Sequence, residues 1–235
     1  MIKGTGILYV VATPIGNLND ISQRALETLA EVDLILCEDT RHWRKLAERH
    51  NLSTKCKSYH QHNEDGRTQE AITLLESGQN LALVSDAGTP CISDPGYRIV
   101  NEAIEQGFTV SPIPGASALI AALSASGLPL HEFQFLGFVP VKSGRRASFL
   151  KRALDSNMTT VVYESPYRIL KTLDVLANEE PERTIFIARE LTKKFEECIN
   201  GSAQSIFDDF KNRPSIKGEF VLIISGLGKK ANNKE

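Results

Sequence analysis

The chain has 235 residues, 41% hydrophobic and 24% charged, with 27 Lys and Arg against 29 Asp and Glu for a net charge of −2. These numbers describe an ordinary soluble globular protein of one large or two small domains. They exclude a transmembrane helix, since no apolar run approaches about eighteen residues. Residues 1–20 show neither the charged start nor the cleavage site of a secretory signal. Cys37, Cys56, Cys91 and Cys198 are scattered with no CxxC pair, so they read as reduced thiols of a cytoplasmic protein, neither disulfides nor zinc ligands.

In chain order the amino-terminal half alternates strands and helices. Gly6–Ala12 is the first expected strand, followed by a helix over Ile21–Glu31 with Ile21, Ala25 and Leu29 at helical spacing and Ser22 or Asp20 as its cap. Asp33–Cys37 is a second apolar strand, Thr40–His50 a helix, Lys55–Tyr59 a short strand, and Thr68–Ser77 a helix that stops at Gly78. Strand Leu81–Val84, helix Tyr97–Gln106 and strand Thr109–Ile113 follow, and a small-residue helix opens at Pro114 and ends at Gly127-Leu128-Pro129. Continuous apolar strands between helices indicate a mostly parallel sheet covered on both faces.

The pattern then changes. Phe133–Val139 alternates and is aromatic, Thr159–Tyr163 and Thr184–Ala188 are β-branched, Glu196–Ile199 is short and Phe220–Ile224 is apolar. Helices are expected at Ser143–Asp155, Pro166–Ala177 and Ser202–Asn212. The fold class is therefore α/β in two domains. Residues 1–125 carry the parallel sheet, 130–226 form a mixed-sheet α/β domain, and the Lys- and Asn-rich tail Gly228–Glu235 is expected to be disordered. Charge is asymmetric too. Residues 1–120 hold 10 basic and 15 acidic side chains, residues 121–235 hold 17 and 14, so a polyanionic partner suits the second half.

Three loops after strands draw attention. The loop Ser85–Tyr97 holds two prolines, two glycines and two aspartates, a rigid wall low in bulk where open α/β sheets bind ligands. It also reads as a tight turn in which Ser93 or Asp94 caps the helix near Tyr97. Ala12–Leu18 occupies the place of a nucleotide-binding glycine loop but fits neither GxGxxG nor a Lys-bearing phosphate loop. Pro112–Ala118 makes a helix start with free backbone N–H groups, which serves a ligand or simply allows close helix–sheet packing. His60-Gln61-His62 offers two histidines without a third ligand nearby, so no metal site is expected.

In this order VVATPIGNL, VDLILCEDTR, LVSDAGTPCISDPG, PIPGASA, FLGFVP, YESPYRI and ARELTKKFEE resemble, over nearly the whole chain, the small-subunit ribosomal RNA methyltransferase I family of the tetrapyrrole methylase superfamily. The resemblance implies a homodimer of two-domain α/β chains that binds S-adenosyl-L-methionine between its domains. It also implies methylation of a cytidine ribose 2′-hydroxyl in the decoding region of 16S rRNA, with 16S rRNA or the small ribosomal subunit as partner. Carried over position by position, the cofactor contacts fall on Pro14, Ala87, Gly88, Thr89, Ile92, Ser117, Ala118, Glu164, Leu191 and Phe220, with Asp86 beside them. Tetrapyrrole-modifying relatives carry GAGPGD-like and GGDP-like loops, whereas this chain has ATPIGN and DAGTP, which favours RNA over a macrocycle. The alternatives are a methyltransferase acting on a tetrapyrrole-like small molecule and a non-catalytic RNA-binding assembly factor.

Methyl transfer to an alcohol needs in-line alignment, and a positioned carboxylate can remove the proton late. Asp39 and Glu164 are the catalytic candidates; each also reads as structural or substrate-orienting, and Glu164 as a cofactor contact. Candidate RNA contacts are Arg41, Arg145, Arg146, Arg152, Arg168 and Arg189. Between Lys142 and Arg152 five basic side chains occur without an acid, and Arg41–Arg49 form a second cluster in which Trp43 either stacks on a base or packs against its own helix.

Overall fold

A computed structural model describes residues 5–227, and the tail Gly228–Glu235 lies outside them. The chain forms two compact units that divide between Ser117 and Ala118.

The first unit contains β1 (Ile7–Val11), α1 (Gln23–Glu31), β2 (Leu34–Cys37), α2 (Thr40–His50), β3 (Cys56–Ser58), α3 (Glu64–Glu76), β4 (Leu81–Val84), α4 (Tyr97–Glu105) and β5 (Thr109–Ile113). Its sheet has the order β3-β2-β4-β1-β5 with every pair parallel. The four residues of β2 and of β4 are all buried because both faces of the sheet are covered. On one face Ala25, Leu29, Trp43 and Leu46 of α1 and α2 pack with Val11, Ile35, Ala82 and Val84. On the other, Ile72, Leu75, Ile99 and Ala103 of α3 and α4 pack with Leu8, Leu36, Leu81 and Leu83. Right-handed crossovers require this division: the chain steps outward from β1 through β2 to β3, then reverses through β4 to β5, and the helices change face with the reversal. The neighbours β1 and β4 consequently send their connections to opposite faces, which opens a crevice at their carboxyl ends. Pro112 is tolerated in β5 because that strand is an edge.

The second unit contains α5 (Ala118–Ala125), β6 (Phe133–Phe138), α6 (Ser143–Leu154), β7 (Thr159–Glu164), α7 (Ile169–Glu179), β8 (Thr184–Arg189), β9 (Glu197–Ser202), α8 (Ala203–Lys211) and β10 (Phe220–Ile224). The sheet order is β6-β7-β10-β8-β9, parallel only between β6 and β7. Helices α6, α7 and α8 cover one face through Leu150, Leu173, Ile206 and Phe210. The expected boundary at 125–130 is corrected to 117/118, because α5 lays Ala122 and Leu123 on the other face against Val161, Phe186, Val221 and Ile223.

Candidate active site at the carboxyl edge of the first sheet

The loops after β1, β4 and β5 are stitched together through their backbones. The Thr13 and Gly88 amides donate to each other's carbonyls at 2.9 and 3.0 Å, forming an isolated antiparallel bridge. The Thr13 hydroxyl donates to the Ser85 carbonyl at 3.1 Å, and the Thr89 hydroxyl to the Ala116 carbonyl at 3.2 Å. Pro14, Ala87, Gly88, Thr89 and Ser117 therefore share one rim. Gly88 has φ +81°, and a Cβ there would stand 3.3 Å from Ile15 Cγ2. A Cβ on Gly115 would stand 3.0 Å from Ala12 Cβ. Both positions need glycine, so backbone amides line the rim where side chains would otherwise stand. Pro14 is buried, while Ala87 and Ile92 are exposed.

Carboxylates gather beside this rim. Asp86 Oδ1 accepts from the Asp39 amide at 3.0 Å and so ties the end of β2 to the loop after β4. Asp39 caps α2 by accepting from the Arg41 amide at 2.8 Å, and the Arg41 guanidinium lies 2.6 Å from its other oxygen. The Arg41 bonds hold the Asp39 carboxyl well below the usual carboxylate range, which leaves it a weak base. Neither Ser93 nor Asp94 caps α4: the cap is Gly96 at φ 130°, without a side-chain bond. Asp94 is instead pushed up to about 6 by burial and by the charges of Glu38 and Asp86. Glu38 is raised as well, by burial and then Asp86. A cavity of about 520 Å³ opens at Asp94, lined also by Gln61, Glu64, Tyr97, Arg98 and Asn101. Sequence reading missed Asp94 as a titrating group. The available signal was Pro95-Gly96, which moves the helix start past the point Asp94 can cap.

In the second unit the candidates converge at one end of the sheet. Phe220 stands opposite Glu164 on β7 and opposite Arg189 on β8. Leu191 follows β8 and packs on the α5 core. Glu164 is buried and bonded on both oxygens, which accept from the Ser165 amide at 2.7 Å and the Thr172 hydroxyl at 2.8 Å, with Arg168 at 3.0 Å. Arg168 also donates to the Val139 carbonyl at 3.1 Å, and Arg189 to the Lys217 carbonyl at 2.6 Å. Both arginines are engaged in holding the strand ends.

The basic helix α6 splits by face. Arg145 and Arg152 are exposed and, with Pro140, Gly144, Ser148 and Phe149, line a groove of about 380 Å³, the Arg152 guanidinium lying 5.5 Å from the Phe149 ring centre. Arg146 is 8% exposed and donates to the Val141 carbonyl at 2.6 Å, so the expectation of an RNA contact there is corrected to an internal tie. Trp43, 5% exposed, belongs to the core and is unavailable for stacking.

Comparison with known proteins decides the family. The sequence model of the Tetrapyrrole (Corrin/Porphyrin) Methylases matches residues 7–206. A ribosomal RNA small subunit methyltransferase I of Halalkalibacterium halodurans is 46% identical over 98% of this chain and 79% of its own. One from Synechocystis is 50% identical over 94% and 79%. The chain belongs to the tetrapyrrole methylases, in their ribosomal RNA small subunit methyltransferase I branch. Solved structures share the fold at low identity: a diphthine synthase superposes with TM-score 0.73 at 15% identity over 94% of this chain and 90% of that one. A cobalt precorrin-4 methyltransferase gives 0.66 at 14% identity over 93% and 94%. The fold thus serves unrelated acceptors, and the acceptor must be argued from the site.

As a tetrapyrrole methylase this chain offers the methyl donor a suitable rim. The surface at Gly88 and Gly115 is low in bulk and has neither the GxGxxG pattern nor the lysine of a phosphate loop, which suits a ligand without phosphates. Thr89 and Ser117 and the Pro14 carbonyl would hold it through main-chain groups, while Gly88, whose amide and carbonyl are bonded to Thr13, would shape the surface it lies against.

Proposed function

We propose that this protein transfers a methyl group from S-adenosylmethionine to the ribose 2′-hydroxyl of a cytidine in the decoding region of 16S rRNA, working as a cytoplasmic homodimer. The observation that carries the reading is the bridged Thr13–Gly88 rim at the switch point of the first sheet in a chain 46–50% identical to enzymes named for small-subunit rRNA methylation. When bound, S-adenosylmethionine supplies an activated methyl on a positively charged sulfur. The protein's part is orientation. Two loops locked by reciprocal hydrogen bonds fix the donor, and a preset geometry converts a bimolecular encounter into an aligned displacement. Arg145 and Arg152 beside Phe149 supply positive charge and a stacking ring for single-stranded RNA.

The deciding experiment incubates the protein with isotopically labelled donor and small ribosomal subunits, then locates the label by nuclease digestion and mass spectrometry. Label on a cytidine ribose is expected. Label on a base, or transfer only to a porphyrin-like acceptor, overturns the reading, and no transfer with retained RNA binding favours an assembly factor.

A further inference from the structure

We infer that the cavity beside the loop after β4 receives the nucleoside to be methylated, and that Asp94 is the group that takes the proton from its hydroxyl. This rests on the function proposed above and assigns residues to its acceptor side.

The cavity, about 520 Å³, falls within the usual size range of small-ligand sites. Its lining selects among ligands. Glu64, Asp94 and Glu102 are acceptors, Gln61 and Asn101 are amides, and the single cation, Arg98, is ion-paired to Asp65. Phosphate is disfavoured there, whereas hydroxyls and an exocyclic amine find acceptors. The Tyr97 ring, 74% exposed at the rim, offers a surface on which an unstacked base can lie.

Asp94 connects this cavity to the rim proposed for the donor. It follows Thr89 by five residues in one loop, with Ser85 close enough to temper the rise in its proton affinity. The Ser85 hydroxyl also lies 3.3 Å from the Gly88 carbonyl. The loop is held in sterically costly backbone: Cys91 and Ser93 have φ of 71° and 65°, and Gly96 cannot gain a Cβ because Leu83 Cδ2 would lie 2.6 Å away. Non-glycine residues keep such angles only where the surroundings enforce them.

Elimination points the same way. Asp39 is committed to Arg41 and to the cap of α2, and Glu164 is buried with bonds to Ser165, Thr172 and Arg168, whereas Asp94 lines an open cavity. The groups facing Asp94 are Glu38 from the end of β2, Asp86 and Cys91 from its own loop, Glu64 from α3, and Arg98 and Glu102 from α4. Burial and the negative members of that set raise its affinity for protons to about pH 6, near that of an efficient base at neutral pH. In the reaction an oxygen lone pair forms the bond to the methyl carbon. The bond from methyl carbon to sulfur breaks with its electron pair left on sulfur, giving a neutral thioether. The hydroxyl proton passes to Asp94, which releases it to water before the next turnover.

The test compares wild type with Asp94→Asn, Asp94→Glu and Tyr97→Ala on small subunits. Wild-type kcat/KM is expected to rise with pH to a plateau above about 6. Asp94→Asn should lose about 100-fold or more in kcat, without the acid limb and with donor affinity by calorimetry unchanged. Asp94→Glu should restore part of the rate with a displaced limb. Tyr97→Ala should raise KM about 10-fold, as expected for loss of one stacked base, at unchanged kcat. Independently of turnover, carbon NMR of aspartate-labelled protein should show one carboxyl titrating near pH 6 that is missing from Asp94→Asn. Full activity of Asp94→Asn, or an acid limb that survives it, overturns the inference while leaving the proposed function standing. Failure of wild type to label ribose overturns both. Should Asp94→Asn not fold, a wild-type rate flat from pH 5 to 8 or an unaltered KM in Tyr97→Ala overturns it equally.

Discussion

The carboxyl edges of the two sheets are built from opposite materials. At the first, Pro14, Gly88, Gly96 and Gly115 set backbone, and the acids Glu38, Asp86 and Asp94 face one another with no ion pair to a basic side chain among the described residues. At the second, charges are matched: Glu164 with Arg168, Glu197 with Arg189 and Arg213, and Lys193 with Glu190 and Glu219. Uncompensated like charges raise proton affinity, whereas paired ones fix geometry and lower carboxyl pKa values, as Arg213 does for Glu197. Carboxyls therefore gain proton affinity at one edge and anchor the chain at the other.

Breaking a pair at the second edge should have the largest effect. Glu164→Ala leaves the partly buried Arg168 charge unpaired and removes the acceptor of the Ser165 amide and the Thr172 hydroxyl, a loss of about 3–5 kcal/mol for a buried ion pair with one member removed. Urea denaturation measures it, and a loss below 1 kcal/mol would mean that Glu164 is not held as the structure has it. Asp94→Asn at the first edge should behave in the opposite sense. The folded pKa of Asp94 is raised above its unfolded value of 3.8, so its stabilising contribution is present in full below pH 3.8 and is lost as pH rises through about 6. The stability difference between wild type and Asp94→Asn should shift against wild type between pH 4 and pH 7. Parallel stability curves would show that Asp94 is solvated.

Next in size is Gly88→Ala. Its φ of +81° costs a side-chain-bearing residue about 1–2 kcal/mol, and the new Cβ would press on Ile15 Cγ2. The strain itself lowers stability, and the shift it forces on the Thr13–Gly88 bridge should weaken donor binding by about tenfold in calorimetry, about 1.4 kcal/mol. An unaltered affinity would remove Gly88 from the donor site.

Much of this was legible in the chain. Alternating apolar strands and helices, Gly and Pro punctuation, and the Ser22 cap, which accepts from the Ala25 amide at 3.2 Å, all follow local rules. Three features did not. The helix α5 is Ala-, Leu- and Ser-rich with no sharply polar face, so its sequence does not say which sheet it covers. Arg146 and Arg145 are adjacent and chemically alike, and only the turn Pro140–Lys142, whose Val141 carbonyl accepts from Arg146, sends one inward. The strand β9 runs on to Ser202 through Asn200 and Gly201, polar residues acceptable because β9 is an edge. The rim loops stood out by their Gly and Pro content after strands, but the individual contacts rested on family resemblance, since long-range bonds such as Thr13 to Gly88 leave no local pattern.

The cationic face sharpens the comparison at smaller cost. Replacing Arg145 and Arg152 together by Ala should reduce the steepness of RNA affinity against log salt by about 1.4, two phosphate contacts at about 0.7 each for single strands, without changing stability or donor binding. Arg146→Ala should do the reverse, lowering stability by about 1–3 kcal/mol through loss of the bond to the Val141 carbonyl while the salt slope stays at its wild-type value. Equal slopes for all three proteins would place the RNA elsewhere.

The smallest effect is expected at the link between the two kinds of chemistry, the Asp39–Arg41 pair at the end of β2. Arg41 is exposed, so its removal should scarcely alter stability near neutral pH. Its signature is titration. The bonds to Arg41 lower the folded pKa of Asp39, so the stability it contributes is present above pH 3.8 and is lost as pH falls below that through the folded value. In Arg41→Ala the Asp39 carboxyl should titrate closer to 3.8 by carbon NMR, retaining only the part of the lowering that the α2 amides supply. Because the Asp39 amide donates to Asp86 at 3.0 Å, the same spectra report whether the uncompensated acids respond to a lost cation. An upward move of the Asp94 titration would show that the pair tunes the first edge electrostatically. A constant Asp94 with a shifted Asp39 would confine Arg41 to capping α2, and an Asp39 that does not move at all would contradict the ion pair itself.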